Sequence, residues 1–273
     1  MTLPTRAVRV TRLGRGDPRE EDDRVAIEEP LEIRIAGDTI AITMRTPGHD
    51  RELVLGFLWA EGIIESTDDV LGLAHCGRTG DEGRENTLDV TLAPHVKIPD
   101  HAPAERRGTI VTSACGVCGR KTIDDLLARF RRVDAAAFEP GPVVDAMARL
   151  RERQPVFAAT GGTHAASLVA RDGHVLATHE DVGRHNAVDK VIGARIRARA
   201  MPLTGCALLV SGRASFEIVQ KAMAAAIPIV ASVSAPSSLA IELARAAGIT
   251  LFGFVRDGSA VRYATGELSS ARP

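Results

Sequence analysis

Between residues 206 and 255 the chain repeats one pattern: a short, almost wholly apolar run followed by a helical stretch. Ala207–Val210, Ile229–Val233 and Thr250–Val255 are the apolar runs, and Ser215–Ala226 and Ser237–Ala247 are the stretches between them. A strand with no polar face must be covered on both sides, and strands spaced by helices of roughly 10–15 residues pair in parallel. The pattern predicts an α/β fold with a mixed, mostly parallel sheet and helices on both faces. A further helix, Asn186–Arg199, precedes the first run. Before it, Ala165–Ala170 and His174–His179 flank Arg171-Asp-Gly173, a hairpin that gives the sheet an antiparallel edge. Thr122–Arg132 and Val143–Arg153 read as helices as well.

The N-terminal part reads differently. Leu31–Ile35 and Thr39–Met44 alternate around a turn, His49–Ile64 has helical spacing, and Val70–Cys76 and Asn86–Leu92 are strand-like. Pro94, Pro99 and Pro103 then punctuate a connector, so a boundary is expected near residue 105. Three regions follow: a mobile, charge-dense arm at 1–24, a smaller α+β domain at 25–105, and an α/β domain at 106–273. Net charge is −1 and aromatics are 3% of the 273 residues, which favours neither nucleic acid nor a membrane surface as partner. The first residues hold no apolar signal core, and no apolar run reaches ~18 residues, so a reducing cytoplasm is expected.

In an open α/β sheet, ligands settle beyond the carboxyl ends of the strands, where helix N-termini offer unpaired N–H groups to anions. Two Ser-rich turns lie there, Ser211-Gly-Arg-Ala-Ser215 and Ser234-Ala-Pro-Ser-Ser238. Ser211, Gly212, Arg213 and Ser215 would suit the phosphates of a nucleotide, although serines there are also ordinary helix caps. Neither a Walker loop nor G-x-G-x-x-G is present. A second polar concentration, Thr178-His-Glu-Asp-Val-Gly-Arg-His-Asn-Ala187, places His179, Glu180, Arg184 and His185 at one junction. Capping accounts for Asn186 or Asp181 but not for all of these together. Gly161-Gly-Thr-His164 is a similar, shorter junction.

Cys115 and Cys118 form a C-x-x-C pair between glycines, just before a helix and beside Arg120 and Lys121. Helix dipole and cations both favour thiolate. A structural zinc site needs about four ligands, and Cys76 and Cys206 form no second pair. His179 and His185 stand some 60 residues beyond the cysteines, too far for a finger. A zinc deaminase needs H-x-E before P-C-x-x-C; no histidine has Glu two positions later, and Ala114 replaces the proline. A thioredoxin-like site would come after the first βαβ strand, not after a ~105-residue region. A fourth reading, beside the zinc and thioredoxin-like ones that stay open, is a sulfur carrier, in which a thiolate on a Gly-flanked loop accepts sulfane sulfur and passes it on. A nucleotide-binding thiol–disulfide redox or binding module is the alternative.

Thr46-Pro-Gly-His-Asp50, Leu55-Gly-Phe-Leu-Trp-Ala-Glu-Gly62, Ser113–Gly119, Thr160–Ala166 and Glu180–Lys190 together resemble the formate dehydrogenase accessory sulfurtransferases, the FdhD/NarQ family. Ser211–Ser215, Ser234–Ser238 and Gly253–Gly258 continue the likeness, which spans about residues 25–265. The resemblance implies a cytidine-deaminase-like C-terminal half and a cytoplasmic homodimer. It further implies a protein that accepts sulfur from a cysteine desulfurase and transfers it to the molybdenum cofactor in its bis-guanine-dinucleotide form, for formate dehydrogenase. That cofactor is then a bound substrate, with GDP as its mimic and no intrinsic metal. The resemblance makes Cys115 the persulfide bearer, with Cys118 assisting, and maps cofactor contact onto Phe254, Val255, Arg256, Asp257, Gly258 and Ser259.

Overall fold

The computed structural model describes residues 3–76, 84–98, 119–133 and 140–266. The C-terminal sheet has the order β12-β11-β10-β9-β7-β8. Its strands are β7 (His164–Ala170), β8 (Val175–Asp181), β9 (Cys206–Val210), β10 (Ile229–Ser232), β11 (Thr250–Arg256) and β12 (Ser259–Ala264). Parallel pairing is confined to β9, β10 and β11. The expectation of a mostly parallel sheet is corrected here. β7–β8 and β11–β12 are hairpins, and β7 also runs antiparallel to β9. Short turns at both ends of the sheet force antiparallel ladders there.

Alternate residues of the central strands feed opposite cores, as a two-sided sheet requires. Leu208, Val210 and Val230 join the larger core with α5 (Arg184–Arg197), α6 (Phe216–Ala224) and α7 (Ser238–Ala247). Ala207, Leu209, Ile229 and Ala231 face α3 (Pro140–Leu150) through Val143, Ala146, Met147 and Leu150. A short helix, α4 (Pro155–Thr160), connects α3 to β7, and α2 (Gly119–Arg129) packs on α7. Helix α2 starts three residues earlier than the periodicity predicts, so Cys118 directly precedes it in sequence.

The N-terminal sheet, order β4-β3-β6-β5, comprises β3 (Glu29–Ile35), β4 (Asp38–Arg45), β5 (Val70–His75) and β6 (Thr87–Leu92). Helix α1 (Asp50–Ala60) lies between this sheet and α5, and its Leu53, Val54 and Leu58 are buried in the larger core. Residues of both sheets share that core. The segment expected as an arm without periodicity instead forms a two-stranded ribbon, β1 (Thr5–Arg12) with β2 (Arg19–Ala26). Charge pairing across the strands, such as Arg9 with Asp22 at 3.1 Å, replaces the apolar alternation that would have revealed it. The expected boundary near 105 lies outside the described residues.

Candidate functional site at the sheet edge

The parallel strands deliver three turns to one edge. After Val210 the chain turns through Ser211-Gly-Arg213 into α6, and after Ser232 it turns through Ser234–Pro236 into α7. A parallel bridge between Ala214 and Pro236 joins the two turns, and Ser237 N–H donates to Ala214 O at 3.0 Å. The third turn follows β11. There Phe254 N–H donates to Ser234 O at 3.3 Å, and the Ser259 hydroxyl donates to Arg256 O at 3.0 Å. Phe254 (φ 52°) and Asp257 (φ 52°) adopt left-handed backbone, unusual away from glycine, and Gly258 does so at φ 73°. Ser211–Ser215, Ser234–Ser238 and Phe254–Ser259 therefore come together at the carboxyl edge, with Phe254 and Arg256 exposed. Val255 is the exception, buried in the core beneath α3.

The serines divide by task. Ser237 caps α7, accepting the Ala240 N–H at 3.3 Å. Ser215 occupies the cap position of α6 but makes no capping bond; its hydroxyl lies 3.0 Å from His185 Nε2. Ser211 Oγ accepts the Ala165 N–H at 2.9 Å, which fixes the first turn to β7. Gly212 sits close against two side chains: a Cβ would stand 3.2 Å from His164 Nδ1 and 3.9 Å from Arg184 Cδ. His164 and Arg184 thus flank the turn.

Arg184 Nε is buried without a hydrogen-bond partner among the described residues. Burial first, and then the nearby Arg184 charge, pushes His164 below its ordinary pKa. His185 is also lowered by burial, against the pull of Glu217 3.6 Å away. Both imidazoles are therefore neutral at neutral pH and can donate and accept at once. Buried donors of this kind at an α/β sheet edge suit an anionic, hydrogen-bonding ligand.

The polar junction Thr178–Ala187 separates into two groups. Glu180 receives the N–H groups of Val156 (2.9 Å) and Phe157 (2.7 Å) and the Thr163 hydroxyl (3.0 Å), which secures the start of α4. Asp181 receives Thr46 N–H (3.1 Å), Gly183 N–H (2.8 Å) and Asn186 Nδ2 (3.0 Å), and pairs with Lys190 Nζ at 2.7 Å. Lys190 Nζ also donates to Thr46 O at 2.8 Å. The Thr46–Asp50 turn is held from its other side by the fully buried Arg45, whose Nε and Nη2 each reach an Asp50 oxygen at 3.1 Å. These residues join the two sheets. Of the cluster, Arg184 and His185 remain at the edge, while His179 turns away to meet His49, with ring centroids 4.2 Å apart and planes tilted by 56°. Sequence reasoning missed this division because the deciding partners, Thr46 for Asp181 and Val156 and Phe157 for Glu180, lie far away along the chain.

It singled out the Gly161–His164 junction but missed Gln154 and Phe157 beside it. Gln154, Phe157 and Gly161–His164 line, with Met147, Leu150, Ser211 and Val233, a cavity of ≈ 400 Å³. Cys115 and Cys118 lie outside the described residues. The other two cysteines are free, Cys206 in the core and Cys76 with Sγ 3.1 Å from Asp89 Oδ2. Among the described residues no three His, Cys, Asp or Glu side chains gather as a metal site, and no helix is long and apolar enough to cross a membrane.

Comparison with known proteins gives a consistent result. The model of the FdhD/NarQ family matches residues 26–268. The sulfur carrier protein FdhD of Anaeromyxobacter sp. (strain K) is 56% identical over 253 residues, covering 90% of this chain and 88% of that protein. Its namesake in Mycobacterium tuberculosis is 50% identical over 246 residues, covering 87% of this chain and 88% of the relative. Among solved structures, a formate dehydrogenase accessory protein from Desulfotalea psychrophila superposes with a TM-score of 0.75 at 25% identity, covering 96% of this chain and 97% of that one.

Proposed function

The chain belongs to the FdhD/NarQ family, and from that premise we propose that it is a sulfur carrier of the sulfurtransferase kind, with Cys115 as the sulfur-bearing residue. The observation that carries this reading is the extent of the likeness: relatives called sulfur carrier proteins match it at up to 56% identity over 90% of its length. In the first step the Cys115 thiolate attacks the outer sulfur of a donor persulfide. A new S–S bond forms at Cys115, the donor's S–S bond breaks, and the donor leaves as thiolate with no net redox change. In the second, Cys118 thiolate attacks the Cys115 sulfur, the S–S bond to the outer sulfur breaks, and that sulfur leaves for the acceptor as sulfide, carrying the two electrons that the cysteine pair gives up in closing to a disulfide. A dithiol reductant restores the pair. The start of α2 immediately after Cys118 supports thiolate character at the pair.

The sheet edge is then where the acceptor rests. Its turns favour the phosphates of a guanine-dinucleotide molybdenum cofactor, bound as substrate, with GDP as a mimic. Helix α2 packs on α7, and the chain leaving α2 meets that helix's C-terminal end, where Val133 N–H donates to Ala247 O at 2.8 Å. The end of α2 that receives Cys118 is thus the end remote from that contact, which supports delivery toward the edge. The same reading has a cysteine desulfurase as donor, formate dehydrogenase as the enzyme served, and a cytoplasmic homodimer with a cytidine-deaminase-like C-terminal half.

Incubation with a cysteine desulfurase and cysteine, followed by intact mass measurement, tests the central step. The protein should gain one sulfur atom, lost with reductant and absent in Cys115→Ala. Activation of formate dehydrogenase in cells by Cys115→Ala would overturn the assignment.

A further inference from the structure

A second cavity, of ≈ 330 Å³, opens where α1 and the N-terminal sheet meet α5 and α6. It shares no lining residue with the cavity at the sheet edge, and its volume is that of a small-molecule site. Ile33 of β3 and Leu53 and Phe57 of α1 give it an apolar wall, and Asp189 of α5 and Lys221 of α6 belong to its polar one. Lys221 Nζ donates to both oxygens of Asp189, at 2.7 and 2.9 Å, so the one ammonium among the described lining residues is already paired. Three further carboxylates line the cavity: Glu28, Glu61 and Glu217. Glu217, at about 2, is ionised, and its neighbour His185, 3.6 Å away, is neutral and does not cancel that charge. Glu28 and Glu61 form no ion pair among the described residues, and Arg129 acts on Glu61 only through space. Glu61 is also the C-cap of α1, where the helix dipole disfavours an anion, and no basic residue stands in the last turn. Phe57 lies one turn earlier on the same face of that helix. A cation between the two would pair with the carboxylate, complement the helix end and lie against the ring.

We propose that this cavity takes a small aliphatic diamine, with one ammonium between Glu61 and the Phe57 ring and the methylene chain along Ile33 and Leu53. The second ammonium answers Glu28 and Glu217, whose charges no cation of the cavity offsets. Carboxylates in excess of cations favour a dication over a monoamine. The apolar wall favours an alkyl chain over a metal ion such as magnesium, which gives up its water reluctantly. The site does not depend on the sulfur-carrier reading.

Calorimetric titration of the full chain with 1,4-diaminobutane, butylamine and magnesium chloride, at about 0.15 M ionic strength, tests this. The diamine should bind about tenfold or more tighter than butylamine, and saturating diamine should raise the Tm. Glu61→Gln should weaken the diamine by about tenfold. Phe57→Leu, which keeps the packing and removes the aromatic ring, should weaken it by about threefold and carries the test if Glu61→Gln does not fold. No binding of the diamine, or butylamine binding as tightly, would overturn the proposal. So would displacement of the diamine by magnesium at constant ionic strength, the mark of a diffuse acidic surface. Full affinity in both Glu61→Gln and Phe57→Leu would overturn the placement of the ammonium.

Discussion

The Asp181 carboxylate has no exposed surface, and four donors converge on it from both sheets. A buried charge persists only when paired and hydrogen-bonded, so this motif is spent on joining rather than on chemistry. Its neighbour His179 is a liability of a different kind. Burial, with the charges of His49 and Lys190 adding to it, pushes His179 down to about 4 from 6.5. The unfolded chain therefore takes up this proton first. The contribution is present above pH ~6.5 and is lost as pH falls toward 4. Glu52, held by His49 and Arg197, and Glu217, held against its burial by His185 and its own backbone N–H, both lie at about 2; what they contribute is lost below pH ~4.5. Asp189, raised by burial to about 6, acts with the opposite sign and favours the fold as pH falls from there toward 3.8. His179→Gln should flatten the fall in urea midpoint between pH 6.5 and 4 and leave the fall below 4.5. An unchanged profile would show that His179 is not the group responsible.

At the level of elements, α1 and α5 cross through a pair of glycines. A Cβ on Gly56 would lie 2.0 Å from Asp189 O, and one on Gly193 would lie 1.8 Å from Glu52 O. Backbone occupies the space where side chains would stand, so either Gly→Ala change must separate the helices. Each should cost about 1–3 kcal/mol or more by urea denaturation. Gly205→Ala, with nothing within 4 Å of its Cβ, should stay within about 0.5 kcal/mol. Helix propensity alone marks a glycine inside a helix only as a weak point, so the crossing is not legible from these residues. The apolar runs of β9 and β10 were legible because both of their faces are buried. The β1–β2 ribbon was not, since its pairing rests on charges across exposed strands. Strand β12 was equally hidden, being exposed along most of its length and defined by its partner β11.

Across the whole molecule, the N-terminal sheet and the C-terminal sheet share a core through α1 and α5. The single tryptophan sits at this seam, Trp59 Nε1 donating to Ala224 O at 2.8 Å. Removing either sheet would expose the apolar face of the other, so the two should unfold together. Tryptophan fluorescence and far-UV circular dichroism should give coincident urea transitions. An earlier fluorescence transition would mean that the N-terminal region opens on its own. The amino-acid sequence alone determined the covered α/β sheet and singled out the cysteine pair that we propose carries sulfur. Strand burial and thiolate chemistry are set by residues close together along the chain. Only tertiary structure decided which polar residues join the sheets and which face the edge. A buried carboxylate is defined by its donors, and one donor to Asp181 comes from Thr46, 135 residues away. No local periodicity carries that distance.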